Sequence, residues 1–245
     1  MFLPLGTFAP EVKLGLVSAS RNCFPRALSD QRARRLLAAC EQAGLTLTVP
    51  QGECWVIETK AHAEEAARQL RQAGCDAAVL FLGNFSPEIE DANFVKAFGG
   101  KVMLIAAAEE TAAGLATDRG DALCGLLSAA MAVGKRSLLD QVHLPAVPVV
   151  DATAGAACVA RFARIMQVVK GIGKATIGLF GPRPRDFETC NYNLASLASL
   201  GVEVEELGLF DLRNEVERIK KEESVSGVVA DMRRQVSGIP GDGFE

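Results

Sequence analysis

The chain has 245 residues, with 26 lysines and arginines against 30 aspartates and glutamates and a formal charge of −4. That balance argues against a cationic nucleic-acid or membrane-surface binder. With 49% hydrophobic residues and no apolar run of membrane-spanning length, the composition is that of a globular protein with a real core.

The start of the chain lacks the basic segment of a secretion signal, so the expected location is cytoplasmic. Seven cysteines (Cys23, Cys40, Cys54, Cys75, Cys124, Cys158 and Cys190) are scattered, odd in number and without a C-x-x-C pair. They fit that compartment and argue against both a disulfide framework and a zinc knuckle.

In chain order, residues 12–18 read as a first strand that leaves through the polar loop Ser20-Arg21-Asn22-Cys23-Phe24-Pro25. Leu36, Leu37, Cys40 and Ala43 at helical spacing predict a helix ending at Gly44, and the alternation of Leu45, Leu47 and Val49 predicts a second strand. A helix with Ala63, Ala66, Leu70 and Ala73 on one face stops at Gly74. The run Ala77–Leu82 is apolar on both sides of the pleat, as in a central parallel strand covered by helices on both faces. Ser86 is expected to cap a helix with Pro87 first and Glu88 in its first turn, so residues 83–86 fall at the carboxyl edge of the sheet, where open α/β sheets bind ligands. Ile89, Phe94 and Ala97 mark that helix, and Gly99-Gly100 leads into a fourth strand at 102–106. This alternation predicts an α/β fold with a doubly wound parallel sheet.

Beyond a small polar loop at 109–120, Asp121 is expected to cap an apolar helix through Leu123, Leu126, Leu127 and Ala130 to Gly134. A fifth strand is expected at 147–150. Asp151 to Thr153 begin a long helix with a stripe of Cys158, Phe162, Ile165 and Val169 that runs to Gly171 and reads as a connector. The expected division is a first α/β domain, flavodoxin- or Rossmann-like, at 1–172 and a second, smaller and incomplete α/β domain at 173–245. The second has two convincing strands, Thr176–Phe180 and 202–207. It also has the turn Gly181-Pro182-Arg183-Pro184, a helix carrying Cys190, Leu194 and Leu197 that ends at Gly201, an Asp211-capped helix to about Lys221 and a helix at 225–236. About three strands are needed for an independently stable sheet, so the chain reads as part of a longer protein, truncated before a further domain.

His62 and His143 lack ligand-type partners at suitable spacing, which argues against a metal site. His62, beside Glu64 and Glu65 on a polar helix, is expected to be solvated. Neither a Gly-x-Ser-x-Gly elbow nor a dinucleotide fingerprint is present. Arg183 and Arg185 suit an anion, although turn arginines are more often solvated. In Asp118-Arg119-Gly120-Asp121 two carboxylates flank an arginine. Parallel strand order would bring Arg21, with Asn22 beside it, Asn84, Phe85 and Arg119 to one edge, and arginine, amide and aromatic ring together suit a polyhydroxylated ligand.

Arg21-Asn22-Cys23-Phe24-Pro25, Asn84-Phe85-Ser86-Pro87 and Arg119-Gly120-Asp121-Ala122-Leu123-Cys124-Gly125-Leu126-Leu127, followed by Ile177-Gly178-Leu179-Phe180-Gly181-Pro182-Arg183-Pro184, together resemble the L-fucose/L-arabinose isomerase family. The likeness runs from about Val12 to Val236, and the pattern is closer to the fucose isomerase-like branch than to the arabinose isomerases, whose Phe-Ser-Pro element it shares. The resemblance implies the two amino-terminal α/β domains of an enzyme that interconverts aldoses and ketoses through an enediol. It implies a divalent metal, typically Mn2+, in the full-length protein, held by carboxylates and a histidine of a carboxyl-terminal domain, so that no metal ligand and no catalytic residue falls in this chain. The implied partners are a small-molecule sugar, the protein's own carboxyl-terminal domain and neighbouring subunits of a homo-oligomer. Arg21, Asn22, Asn84, Phe85 and Arg119 are the candidate substrate-binding residues. The alternative is a stand-alone sugar- or effector-binding two-lobe module without catalysis.

Overall fold

Strand β4 (Ala77–Leu82) is buried along its whole length, because Ala-Ala-Val-Leu-Phe-Leu presents an apolar side chain to both faces of the sheet. The structure is a computed structural model that describes residues 9–111, 119–220 and 225–235. On either side of β4 lie β1 (Leu14–Ala19) and β5 (Lys101–Ala107), both parallel to it, with Leu14 opposite Ala77 and Ala77 opposite Lys101.

Each edge of the sheet is made from two short pieces. Beyond β1 lie β2 (Leu47–Thr48) and β3 (Val56–Ile57), which pair with its first and second halves, and beyond β5 lie β6 (Val142–His143) and β7 (Val149–Val150) in the same manner. Proline cannot donate to a ladder. Pro50 follows β2, and Pro145 and Pro148 fall between β6 and β7, so each edge is interrupted where a proline stands. Counting each interrupted edge once, the order is 2-1-3-4-5 with every pairing parallel, as the strand–helix alternation predicts.

Helices cover both faces. On one, α2 (Lys60–Gln72), α3 (Glu88–Phe98) and α4 (Ala122–Lys135) pack side by side. On the other, α1 (Arg26–Gln42) meets α5 (Ala152–Ile172), where Gly155 lets Leu36 approach so closely that a Cβ would stand 2.7 Å from its Cδ1.

Several local expectations need correction. Strand β3 and the 3-10 turn Gly52–Trp55 before it add to the expected pattern, and the second and fifth strands, with two residues each, are shorter than their alternation predicts. Pro87, not Ser86, occupies the cap position of α3, so the Ser86 hydroxyl lies one residue too early to cap and turns inward to Asp91. Asp121 does precede α4, but in the left-handed region (φ 52°), with its carboxylate on Arg119 instead of a helix amide. The buried stripe of α5 is Ala156, Val159, Phe162 and Met166, with Val169 exposed. His62 is not solvated: its side chain is 21% exposed, and its Nδ1 is buried with no hydrogen-bond partner among the described residues.

Contacts divide the chain into residues 11–167 and a second unit of residues 1–10 with 168–245, the boundary falling inside α5. The second unit holds β8 (Thr176–Phe180) parallel to β9 (Glu203–Leu207), with α6 (Leu194–Ser199), α7 (Leu209–Ile219) and α8 (Val225–Gln235). Gly208 caps α7, so Asp211 is its third residue and accepts from the Gly208 amide at 2.8 Å. Cys190 is exposed and outside α6. Among the side chains described at 173–220, Val202 is the one buried apolar side chain, while Ile177, Phe180, Leu209 and Phe210 are exposed. Expectations about residues 1–8, Asp118, Lys221 and residues 236–245 fall outside the described residues.

Candidate functional site

The strand order reverses between β1 and β4, and there the loops leaving the two strands diverge to opposite sides of the sheet. Arg21 follows β1 by two residues and Asn84 follows β4 by two, so both stand at this crevice. The Arg21 amide donates to the Phe85 carbonyl at 3.1 Å and to Asn84 Oδ1 at 3.2 Å, which ties the two loops together.

Asn84 is wholly buried. Its Nδ2 donates to Ser20 Oγ at 2.8 Å and to the Pro25 carbonyl at 3.2 Å, so the amide is committed within the loop pair and holds the geometry in which Arg21 and Phe85 are presented. The Arg21 side chain folds back over that frame. Its Nη2 and Nε donate to the Ser86 carbonyl at 3.0 and 3.3 Å, and its Cζ lies 4.4 Å from the centroid of the Phe85 ring. This is a cation–π contact. Phe24 stacks on the same ring with centroids 5.7 Å apart. Together these contacts fix the guanidinium plane while leaving a third of the side chain exposed.

Arg21 and Asn22 open on a cleft of about 340 Å3 whose remaining polar wall is acidic, made by Glu58, Glu88 and Glu90. Glu88 comes within 3.9 Å of Arg21, and Glu58 is paired with Arg26. Arg119 is brought alongside through its neighbour: the Gly120 carbonyl accepts from the Phe85 amide at 2.6 Å, and Arg119 Nε donates to Asp121 at 2.8 Å. The structure thus brings Arg21, Asn22 and Phe85 together, uses Asn84 as the brace beneath them, and sets Arg119 beside the Phe85 loop.

Two further residues build the site and escape a reading of the sequence. Asp91, in the first turns of α3, is wholly buried beneath Arg21. One carboxyl oxygen accepts from Ser86 Oγ, and Oδ1 has no partner among the described residues. Burial pushes its pKa up to about 7, against the opposing influence of the Ser86 hydrogen bond and the charge of Arg21. Arg32, only 4% exposed, donates to the Gly83 carbonyl at 2.8 Å and to Glu109 at 2.7 Å, and also binds Glu110. Glu109 in turn accepts from the amides of Gly120 and Asp121 at 3.1 and 2.9 Å, so one buried arginine ties the end of β4 to the loop that carries Arg119. Desolvation would raise the Glu109 carboxyl, but Arg32 and the Gly120 amide outweigh it and hold it below its usual range. The Arg32 hydrogen bond does the same for Glu110.

The metal implied by the resemblance does not fit the donors present. Among the described residues no three His, Cys, Asp or Glu side chains gather as a metal site would require. Glu109 and Glu110 are engaged by Arg32, and the His143 ring stacks on Phe162 with centroids 5.5 Å apart. No step is assigned to a metal held by these residues.

An open, all-parallel sheet of order 2-1-3-4-5 is the strand order of flavodoxin-like α/β domains. The family described as the fucose/sulfoquinovose isomerase N-terminal domain matches residues 15–173, and the chain belongs to it. No curated protein matches the chain. Among the described residues no helix is long and apolar enough to cross a membrane.

Proposed function

We propose that this chain is the amino-terminal portion of a sugar aldose–ketose isomerase, contributing oligomer contacts and part of the sugar site through the cleft at the β1–β4 switch point. The observation that carries the reading is the Arg21 guanidinium, held against Phe85 by the Ser86 carbonyl at the mouth of that cleft. A fixed guanidinium donates to two adjacent hydroxyls, and the Phe85 ring, in contact with Arg21 and Phe24, serves to hold that guanidinium in place. Asn22 and Arg119 are the flanking contacts in this reading, with Asn84 acting through the loops it braces. With Glu58 paired to Arg26, the cleft still sets Glu88 and Glu90 against the single Arg21, an acidic balance that favours a neutral sugar over a phosphorylated or sulfonated one.

In this reading the enediol chemistry and the Mn2+ belong to a carboxyl-terminal domain. That domain also covers the apolar side chains that the second unit exposes, since a two-stranded parallel sheet lacks a core of its own. A cytoplasmic location belongs to the same reading and is supported by seven unpaired cysteines.

The test is expression of the complete reading frame beside the 245-residue chain, with both assayed for ketose formation from L-fucose and L-arabinose in the presence of Mn2+. The longer protein is expected to turn over and the chain alone to be inactive. Metal-dependent turnover by the chain alone would overturn the division of labour. A reading frame that ends at Glu245 and binds sugar without turnover would establish the stand-alone binding module instead.

A further inference from the structure

Among the described residues Asp91 is the one acidic side chain buried completely. Ser86 Oγ holds one of its oxygens, and Oδ1 has no partner among the described residues. A neutral carboxyl tolerates that arrangement. A carboxylate does not, because a buried charge short of donors is far more costly than a buried neutral group, and it therefore recruits whatever cation stands nearest.

The charges that reach Asp91 are few. Arg21, on the loop after β1, favours its ionisation, while Glu90 and Glu88 on its own helix oppose it. The charged groups of α2, which packs along α3, are engaged elsewhere: Lys60 with Glu64, Arg68 with Glu65, Arg71 with the Ala97 carbonyl, and His62 facing Glu53. At the start of α4 Asp121 holds Arg119, the turn that lies on the Phe85 loop presents only the backbone of Gly125, and Lys135 and Arg136 are exposed at the far end. Strand β4 carries no charged residue, and Lys101 lies at the opposite end of β5. Across the cleft Arg26 is paired with Glu58. Arg21 is the cation within reach.

Arg21 also has a position to leave. Its Nη2 and Nε rest on the carbonyl of Ser86, the residue whose hydroxyl holds Asp91, so one residue separates guanidinium from buried acid. Glu88, 3.9 Å from Nη2, draws the same group toward the cleft. Burial sets the pKa of Asp91 at about 7, so the inward pull changes with pH near neutrality.

We propose that Asp91 is a positioning residue for Arg21: with its proton it leaves the guanidinium on the Ser86 carbonyl and open to the cleft, and on losing that proton to solvent it draws the guanidinium inward and withdraws those donors from a ligand. Binding at the cleft and protonation of Asp91 are then reciprocally linked, each favouring the other. The coupling of the two side chains stands on their geometry, and only its consequence for a sugar rests on the proposed function.

An NMR titration of the 245-residue chain from about pH 5 to about pH 9 tests it, with the Asp91 carboxyl carbon and the Arg21 Nε read together. Both signals are expected to move with one midpoint at about 7. In Arg21→Met the Asp91 midpoint should rise by about one unit, the effect of removing an opposite charge a few ångströms away. In Asp91→Asn the Arg21 signal should stay flat, and the wild-type and Arg21→Met titrations decide the matter even if that variant does not fold. Calorimetric titration with L-fucose at about pH 6 and about pH 8 reads the consequence: affinity roughly tenfold weaker at the higher pH in the wild type and equal at both in Asp91→Asn. A purely structural Asp91 predicts an Arg21 signal that is flat through the Asp91 midpoint or that titrates identically in Asp91→Asn, and either result overturns the proposal whatever L-fucose does. Wild-type L-fucose affinity equal at both pH values overturns the withdrawal of the donors. Coupled midpoints with no L-fucose binding at either pH would establish the pair and overturn the sugar reading alone.

Discussion

The Ser86 hydroxyl donates to the Asp91 carboxyl, with both side chains wholly withdrawn from water, while the Ser86 carbonyl accepts the Arg21 guanidinium. One residue therefore links a buried acid to the cation at the mouth of the cleft. Folded Asp91 keeps its proton up to about pH 7, whereas the unfolded side chain releases it near 3.8. The folded state thus binds the extra proton across that interval, and stability falls as pH rises through it, by at most ~4 kcal/mol. Asp91→Asn keeps the shape and the Ser86 contact without a titrating group. Urea unfolding between about pH 4 and pH 7 is expected to show a downward slope in the wild type that is absent from Asp91→Asn, and parallel profiles would refute the assignment.

Gly125 of α4 rests on the backbone of the Phe85 loop, where a Cβ would stand 2.8 Å from the Ser86 nitrogen and 3.0 Å from the Phe85 Cα. Backbone cannot swing aside as a side-chain tip can. Gly125→Ala is expected to push α4 off residues 84–86 at a cost of about 1–3 kcal/mol, despite the higher helix propensity of alanine. Cys124→Ala, on the exposed side of the same turn, should stay within about 0.5 kcal/mol. Equal stability of the two variants, read by thermal unfolding, would show that the close approach carries no cost.

Arg32 neutralises Glu109 and Glu110 while binding the Gly83 carbonyl, and it is the one member of that trio with almost no exposure. Arg32→Met keeps the aliphatic stem but leaves Glu109 with only its backbone amides, Glu110 with only Arg35 at 3.5 Å, and the Gly83 carbonyl without the Arg32 donor. Because both glutamates retain partial contact with water, the expected loss is about 2–3 kcal/mol, below that of a fully buried pair. Both carboxyls titrate below their usual range when folded, so the stability they confer is present at neutral pH and is lost as the solution becomes acid. The difference between wild type and Arg32→Met should accordingly shrink below about pH 4. A difference that stays constant with pH would mean that packing of the stem, and not the ion pairs, is what Arg32 supplies.

The sheet was legible because its signals are local. Six apolar residues at Ala77–Leu82 have one reading next to a glycine and a proline-led helix, and that run fixes the edge on which Arg21, Asn84 and Phe85 emerge. What could not be read depends on partners distant in sequence. Asn84 looks like a ligand amide until Ser20 and Pro25, some sixty residues earlier, are seen to occupy it. Asp91 lies among Glu88 and Glu90 in a run that reads as a solvated helix start, and only the packing of Ser86 and Arg21 above it reveals a buried acid. Strand β3 has two residues and follows a 3-10 turn, so its periodicity is too short to register, although Trp55 and Cys54 beside it belong to the core.

Arg21 is the residue on which the proposed sugar site rests, and its environment predicts how a variant behaves. The guanidinium is oriented by the Ser86 carbonyl and the Phe85 ring, yet a third of the side chain is exposed, so its removal should cost the fold less than about 1 kcal/mol. Its donors remaining toward the cleft can bind two neighbouring hydroxyls, and losing such charged hydrogen bonds in a desolvated complex costs about 1.5–3 kcal/mol. Arg21→Ala in the intact enzyme is therefore expected to reduce kcat/KM by roughly ten- to a hundredfold while the thermal transition and subunit assembly stay close to wild type. Arg21→Lys should recover only part of the loss, because an ammonium keeps the charge but neither the planar fork nor the stacking on Phe85. A purely structural arginine predicts the opposite pattern, in which stability drops and the kinetics of the surviving folded protein are normal. Wild-type kcat/KM in a normally assembled Arg21→Ala enzyme would remove Arg21 from the sugar site.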